Sequence, residues 1–114
     1  MAAPTGWPRD LPPPGTDEFH ERVCGWLLDR GPADLRLSPL RAMPVGLARV
    51  VARHVDACLT GIRDAYATAR VELRDYLPPD QISAVQSALE AEGARLLQVQ
   101  REVALVEDAV RGIA

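Results

Sequence analysis

PVGLARVVARHVDACLTGIRDAYATARVELRDYL (residues 44–77), the pair Pro78–Pro79, and DQISAVQSALEAEGARLLQVQREVALVEDAVRG (residues 80–112) decide the fold. In the first segment Ala48, Ala52, Val55, Leu59, Ile62, Tyr66, Ala69, Leu73 and Tyr76 recur at alternating steps of four and three, the heptad spacing that lines one face of a helix. Val51, Cys58 and Ala65 run beside that line and widen it to about three positions in seven, the face of a bundle helix. The last segment carries a narrower seam: Ile82, Val85, Leu89, Glu92, Leu96, Val99, Val103, Val106, Val110 and Ile113. Pro44 suits a first helical turn, and Pro78–Pro79 stop one helix and open the next. Helices are therefore predicted over about 44–77 and 80–112, with Gly112 as the stop of the second. So short a link forces the chain to fold back, giving an antiparallel hairpin on the order of 50 Å long.

Working outward, Thr16 is placed to cap a helix over about 17–30, with Asp17 and Glu18 where the helix dipole favours acids. Phe19, Val23, Trp26 and Leu27 form its apolar stripe, and Gly31–Pro32 end it. Ala33 to Pro44 reads as a connector with a short turn opened by Ser38 and Pro39. Residues 1–15 hold five of the ten prolines, which impose an extended, polyproline-like arm. Trp7 and Leu11 are its large apolar residues and are expected to pin it to the body of the domain; the alternative is a proline-rich docking peptide. The expected architecture is all-α: an extended Pro-rich arm (1–15) and a single helical domain (16–114) with one short helix and a long two-helix hairpin. This is either a three-helix bundle or half of a dimeric four-helix bundle.

Laying the two seams side by side pairs Leu89 with Ala69, Leu96 with Ile62, Val99 with Leu59 and Val103 with Val55. Glu92 then falls near Tyr66, between Arg63 and Arg70, and a carboxylate on a seam requires a Tyr or Arg partner. A first helix of about 14 residues covers roughly 20 Å of the hairpin, so much of the wide stripe is left open at one end. Homodimerisation would close it. Leu59, Tyr66, Leu73, Glu92, Arg49 and Arg53 are the candidate interaction residues.

Two constellations bear on chemistry. H-x-x-x-C occurs twice, as His20/Cys24 and His54/Cys58, and the i, i+4 spacing puts each pair on one helical face. If the two faces met they would supply a tetrahedral zinc site; the competing reading takes both cysteines as small buried hydrophobes. Arg49 and Arg53 share a face early in the second helix and are the candidate contact for nucleic acid. Segment 40–76 has six Arg against four acids and 80–114 has three against six, so mutual attraction of the hairpin arms, aided by Glu107 to Arg111, is the simpler account. Ser38, Ser83 and Ser87 lack a His and acid in context, and HExxH is absent, which points away from an enzyme and implies no cofactor.

The composition sharpens these exclusions. A length of 114 residues is that of one domain. Five aromatics are too few for a base-stacking surface, and the eight glycines occur singly, without a phosphate-cradling loop. All thirteen basic residues are Arg, which a GC-rich genome explains; sixteen acids leave a net charge of −3, which disfavours nucleic acid. Apolar runs fall short of a membrane span or leader, and Cys24 and Cys58 form no CxxC, so a cytoplasmic protein with reduced thiols is expected. WPRDLPPPGT (Trp7 to Thr16) and GWLLD (Gly25 to Asp29) resemble the start of a family of small uncharacterised helical proteins from high-GC actinobacteria. The resemblance spans about the N-terminal quarter and implies a bacterial source, with no site residues to carry over. The reading is a non-enzymatic helical interaction or regulatory module that self-associates or binds another helical protein; a metal-binding sensor and a weak nucleic-acid binder are the alternatives.

Overall fold

Thr16 accepts a hydrogen bond at Oγ1 from the Phe19 amide at 3.1 Å and donates one to the Pro13 carbonyl at 2.8 Å, starting the first helix where the capping signal placed it. The computed structural model describes residues 3–112, and its helices are α1 (Asp17–Leu28), α2 (Pro44–Leu73) and α3 (Pro79–Val110), with two 3₁₀ turns, Ala33–Leu37 and Pro39–Ala42, between α1 and α2. Among the described residues there is no strand. α2 and α3 pack along their lengths as an antiparallel hairpin, and α1 lies against α2. Ile113, the last position of the α3 seam, falls outside the described residues.

The helix ends differ from expectation by a few residues, each for a local reason. α1 closes at Leu28 because the Arg30 and Gly31 amides turn back onto the Leu27 and Leu28 carbonyls. α2 stops at Leu73 rather than Leu77: the Tyr76 and Leu77 amides both donate to the Leu73 carbonyl, closing a turn ahead of the two prolines. Proline disfavours helical geometry in the residue before it, so the last turn unwinds ahead of Pro78. α3 opens at Pro79, where a missing N–H costs nothing. Gly112 takes a left-handed φ of 74°, the conformation that ends a helix at a glycine.

Polar pairs fix the hairpin register. Arg49 meets Glu107 at 3.4 Å, and Gln100 Nε2 donates to Asp56 Oδ1 at 2.9 Å. From the first pair to the second, α2 advances two turns as α3 retreats two turns, which is antiparallel heptad register. Ile62 and Leu96 line one cleft, in accord with the expected seam pairing.

The core is concentrated at one end. Phe19, Val23 and Leu27 of α1 pack with Leu47, Val51 and Val55 of α2 and Val103 and Val106 of α3, all at most 1% exposed. The arm closes this end: Leu11 joins the core and Trp7 packs at its edge, its ring 5.7 Å from that of Phe19, as pinning required. The arm is punctuated by turns rather than continuously extended, with the Trp7 and Leu11 amides donating to the Pro4 and Pro8 carbonyls. Gly6, at φ 85°, supplies the left-handed residue the first turn needs. Beyond Leu59 on α2 and Leu96 on α3, Ala69 and Ile82 alone among the described residues are buried. The hairpin therefore projects as two bare helices, and the radius of gyration is 17.2 Å where about 13 Å suits a globular chain of this length.

Candidate functional site

A cleft of about 480 Å³ opens where α1 ends and the bare hairpin begins. Asp29, Arg30 and Gly31, just past the end of α1, form one wall; His54, Cys58 and Ile62 come from α2, and Glu92, Arg95 and Leu96 from α3. Heptad spacing brings the last two groups together, since His54 and Cys58 are one turn apart on α2 and Glu92 and Leu96 one turn apart on α3.

His54 Nε2 and Cys58 Sγ lie 3.5 Å apart, so the second H-x-x-x-C pair does face one way. The first does not join it. Among the described residues no three His, Cys, Asp or Glu side chains converge where they could hold a metal ion, and the zinc alternative loses its geometric basis. Cys24 instead packs against the core, and burial pushes its thiol up from the usual thiol range. His20 is exposed, with its ring edge against Phe19.

Glu92 has an arginine partner, but from its own helix. Arg95 Nη2 donates to Glu92 Oε2 at 3.0 Å, and neither Arg63 nor Arg70 of α2 takes part. This hydrogen bond holds the Glu92 carboxyl below the usual carboxylate range and raises Arg95, to which the nearby Cys58 adds in smaller measure. The buried carboxylate of the hairpin is Glu107, 8% exposed, held between Arg49 and Arg111 at 3.4 and 3.2 Å. Arg49 is thus engaged within the chain, whereas Arg53 is exposed.

Of the other interaction candidates, Leu59 is 3% exposed and taken up inside the hairpin, and Leu73 is half-buried. Tyr66 is 42% exposed and lines a second cleft, about 320 Å³, with Ile62, Arg63, Leu89 and Glu90. A third, about 440 Å³, lies nearer the tip between Arg70, Val71 and Arg74 of α2 and Pro79, Ile82 and Ser83 of α3.

Sequence reasoning missed the clasp that holds the arm. Asp10 accepts from Trp26 Nε1 at 2.8 Å and pairs with Arg30 at 2.9 Å, while Arg30 also stacks 3.7 Å from the Trp26 ring centroid. The Trp26 hydrogen bond, with Arg30, holds the Asp10 carboxyl below its usual range. Asp10 lies 16 residues from Trp26, so no local spacing could have revealed it. Among the described residues no helix is long and apolar enough to cross a membrane. Comparison with family models, curated proteins and solved structures finds no match for the chain, so its reading rests on its own residues.

Proposed function

We propose that the protein is a non-enzymatic interaction module whose bare hairpin binds a second copy of the chain. The observation that carries this reading is the exposed apolar side chains beyond the reach of α1: Tyr66 and Val71 of α2, and Tyr76 of the turn after it, are 42%, 66% and 81% exposed at the end of the hairpin that has almost no buried core of its own. A helix pair buries one stripe of each member, and a helix with apolar positions over three in seven needs another layer. The second copy is favoured by the charges at the cleft between Tyr66 and Leu89. Arg63 stands on its α2 side and Glu90 on its α3 side, so a two-fold axis that lays α2 beside the α3 of the other chain sets opposite charges together. Cytoplasmic placement belongs to the same reading and rests on the two free cysteines, Cys24 and Cys58. The nucleic-acid alternative is weakened by the engagement of Arg49 with Glu107.

Light scattering across a concentration series tests the proposal. The expected result is a mass rising toward twice 12.4 kDa, reverting to the monomer in a Tyr66→Glu, Tyr76→Glu double variant that keeps its helical circular dichroism. A strict monomer at high concentration, or a dimer unaffected by the two substitutions, overturns it.

A further inference from the structure

The cleft at the end of α1 does more than separate two helices. Its lining includes a nucleophile, Cys58 Sγ, with a base within reach, His54 Nε2, at 3.5 Å. Cys58 is half-buried and lines this cleft of about 480 Å³, which a small molecule can enter. The second cysteine serves as an internal comparison. Cys24 is also half-buried, but it packs against the core and burial raises its thiol. Reactivity of a cysteine follows access and a group that receives its proton, and Cys58 lines an open cleft beside His54 whereas Cys24 packs against the core. The charged groups around the cleft are Asp29 and Arg30 from the end of α1, His54 from α2, and Glu92 and Arg95 from α3. Of these, Asp29 is paired with Arg36, Arg30 with Asp10 and Arg95 with Glu92, which leaves His54 as the group in contact with the thiol.

We propose that this cleft is a thiol-exchange site in which Cys58 reacts with low-molecular-weight disulfides. The thiol proton passes to His54 Nε2, and the Cys58 sulfur attacks one sulfur of the incoming disulfide. The disulfide S–S bond breaks as the Cys58 S–S bond forms, and the departing thiolate takes the proton back from His54 or, where it is too weak a base, leaves ionised while His54 gives the proton to solvent. Cys58 sulfur is oxidised and the departing sulfur reduced, so no further oxidant is required. The product is a mixed disulfide that fills the cleft between α1 and the bare hairpin. His54 is a positioning and proton-accepting residue.

The test uses the folded chain and dithiobis-nitrobenzoate, whose released thiolate is coloured, with glutathione disulfide as a second probe. In the wild-type protein, peptide mapping after partial reaction should find the adduct on Cys58 and not on Cys24. The Cys24→Ser variant should then react at least about ten-fold faster than the Cys58→Ser variant. Substituting His54→Ala in the Cys24→Ser background should slow the reaction about ten-fold at neutral pH, while the rate in urea, where the cleft is gone, stays unchanged. Preferential labelling of Cys24, equal rates for the two cysteines, or a Cys58 rate indifferent to His54 overturns the proposal. Because these rates are read at a concentration where the chain is monomeric, failure of self-association leaves them intact.

Discussion

Leu47→Ala and Leu89→Ala are the same chemical change made at the two ends of one hairpin, and the structure assigns them different costs. Leu47 is fully enclosed in the core among α1, α2 and α3. Truncating it removes buried carbons and leaves a sealed hole, because Phe19 and Leu27 of α1, Val51 of α2 and Val103 of α3 in the same core are held on three separate elements and relax only in part. Transfer and cavity contributions together put the loss at about 3 kcal/mol, a large part of the about 6–15 kcal/mol typical for a chain of this length. Leu89 is half-buried and lines a cleft of about 320 Å³ that is open to solvent. Water enters the space its side chain vacates, so only a partial transfer contribution of about 1 kcal/mol is lost. Urea unfolding followed by tryptophan emission measures both, since Trp7 and Trp26 sit at the core end. The runs belong at a protein concentration low enough to keep the chain monomeric, so that no partner covers Leu89. Equal losses, or the greater loss at Leu89, would refute a core concentrated at one end.

Two further outcomes follow from the ion pairs. Asp10 has a carboxyl held below its unfolded range by the Trp26 hydrogen bond and Arg30, so its contribution is present above the unfolded pKa and is lost as pH falls through the folded one. Asp10→Asn should therefore cost about 1 kcal/mol near neutral pH, discounted for the exposure of this carboxylate, and the gap to wild type should close in acid; a gap independent of pH in urea titrations refutes the clasp. Glu107→Gln leaves Arg49 and Arg111 without their shared carboxylate and should lower stability by about 1–2 kcal/mol, whereas Glu92→Gln, on an exposed pair, should change it by less than about 0.5 kcal/mol. Thermal unfolding of the two variants side by side decides between Glu107 and Glu92 as the carboxylate that matters to the hairpin.

Much of this architecture is local in origin and was legible in the residues. Thr16 with Asp17 and Glu18 starts α1, Pro44 starts α2, and Pro78–Pro79 force the reversal, because capping, a missing N–H and a fixed φ act within a turn of where they stand. The heptad seams then dictate which helix faces meet. What the seams do not dictate is how deeply each position is buried. Tyr66 lies on the same line as Val55 and Leu59, yet it is exposed and they are not. The line is continuous in the sequence, but α1 and the arm cover only one end of it.

The polar contacts divide in the same way. Glu107 to Arg111 is an i, i+4 pair and could be read directly, whereas Arg49 to Glu107 needed the register of the hairpin. Glu92 sits on the α3 seam by spacing, but an ideal helix drifts about 20° per heptad against a strict seven-residue repeat. Its flexible carboxylate bonds to Arg95, three residues on along the same helix, at the exposed edge of the hairpin. The pairing of His54 with Cys58 was fixed by one turn of helix, but their position in a cleft walled by Arg30 and Arg95 depended on where α1 ends against α2 and α3. The sequence by itself determined the helices, their order and the antiparallel hairpin, since each follows from interactions within a few residues. Tertiary structure alone decided which end of that hairpin holds the core, which carboxylate is buried, and which cysteine faces an opening, because these depend on contacts between residues far apart in the chain.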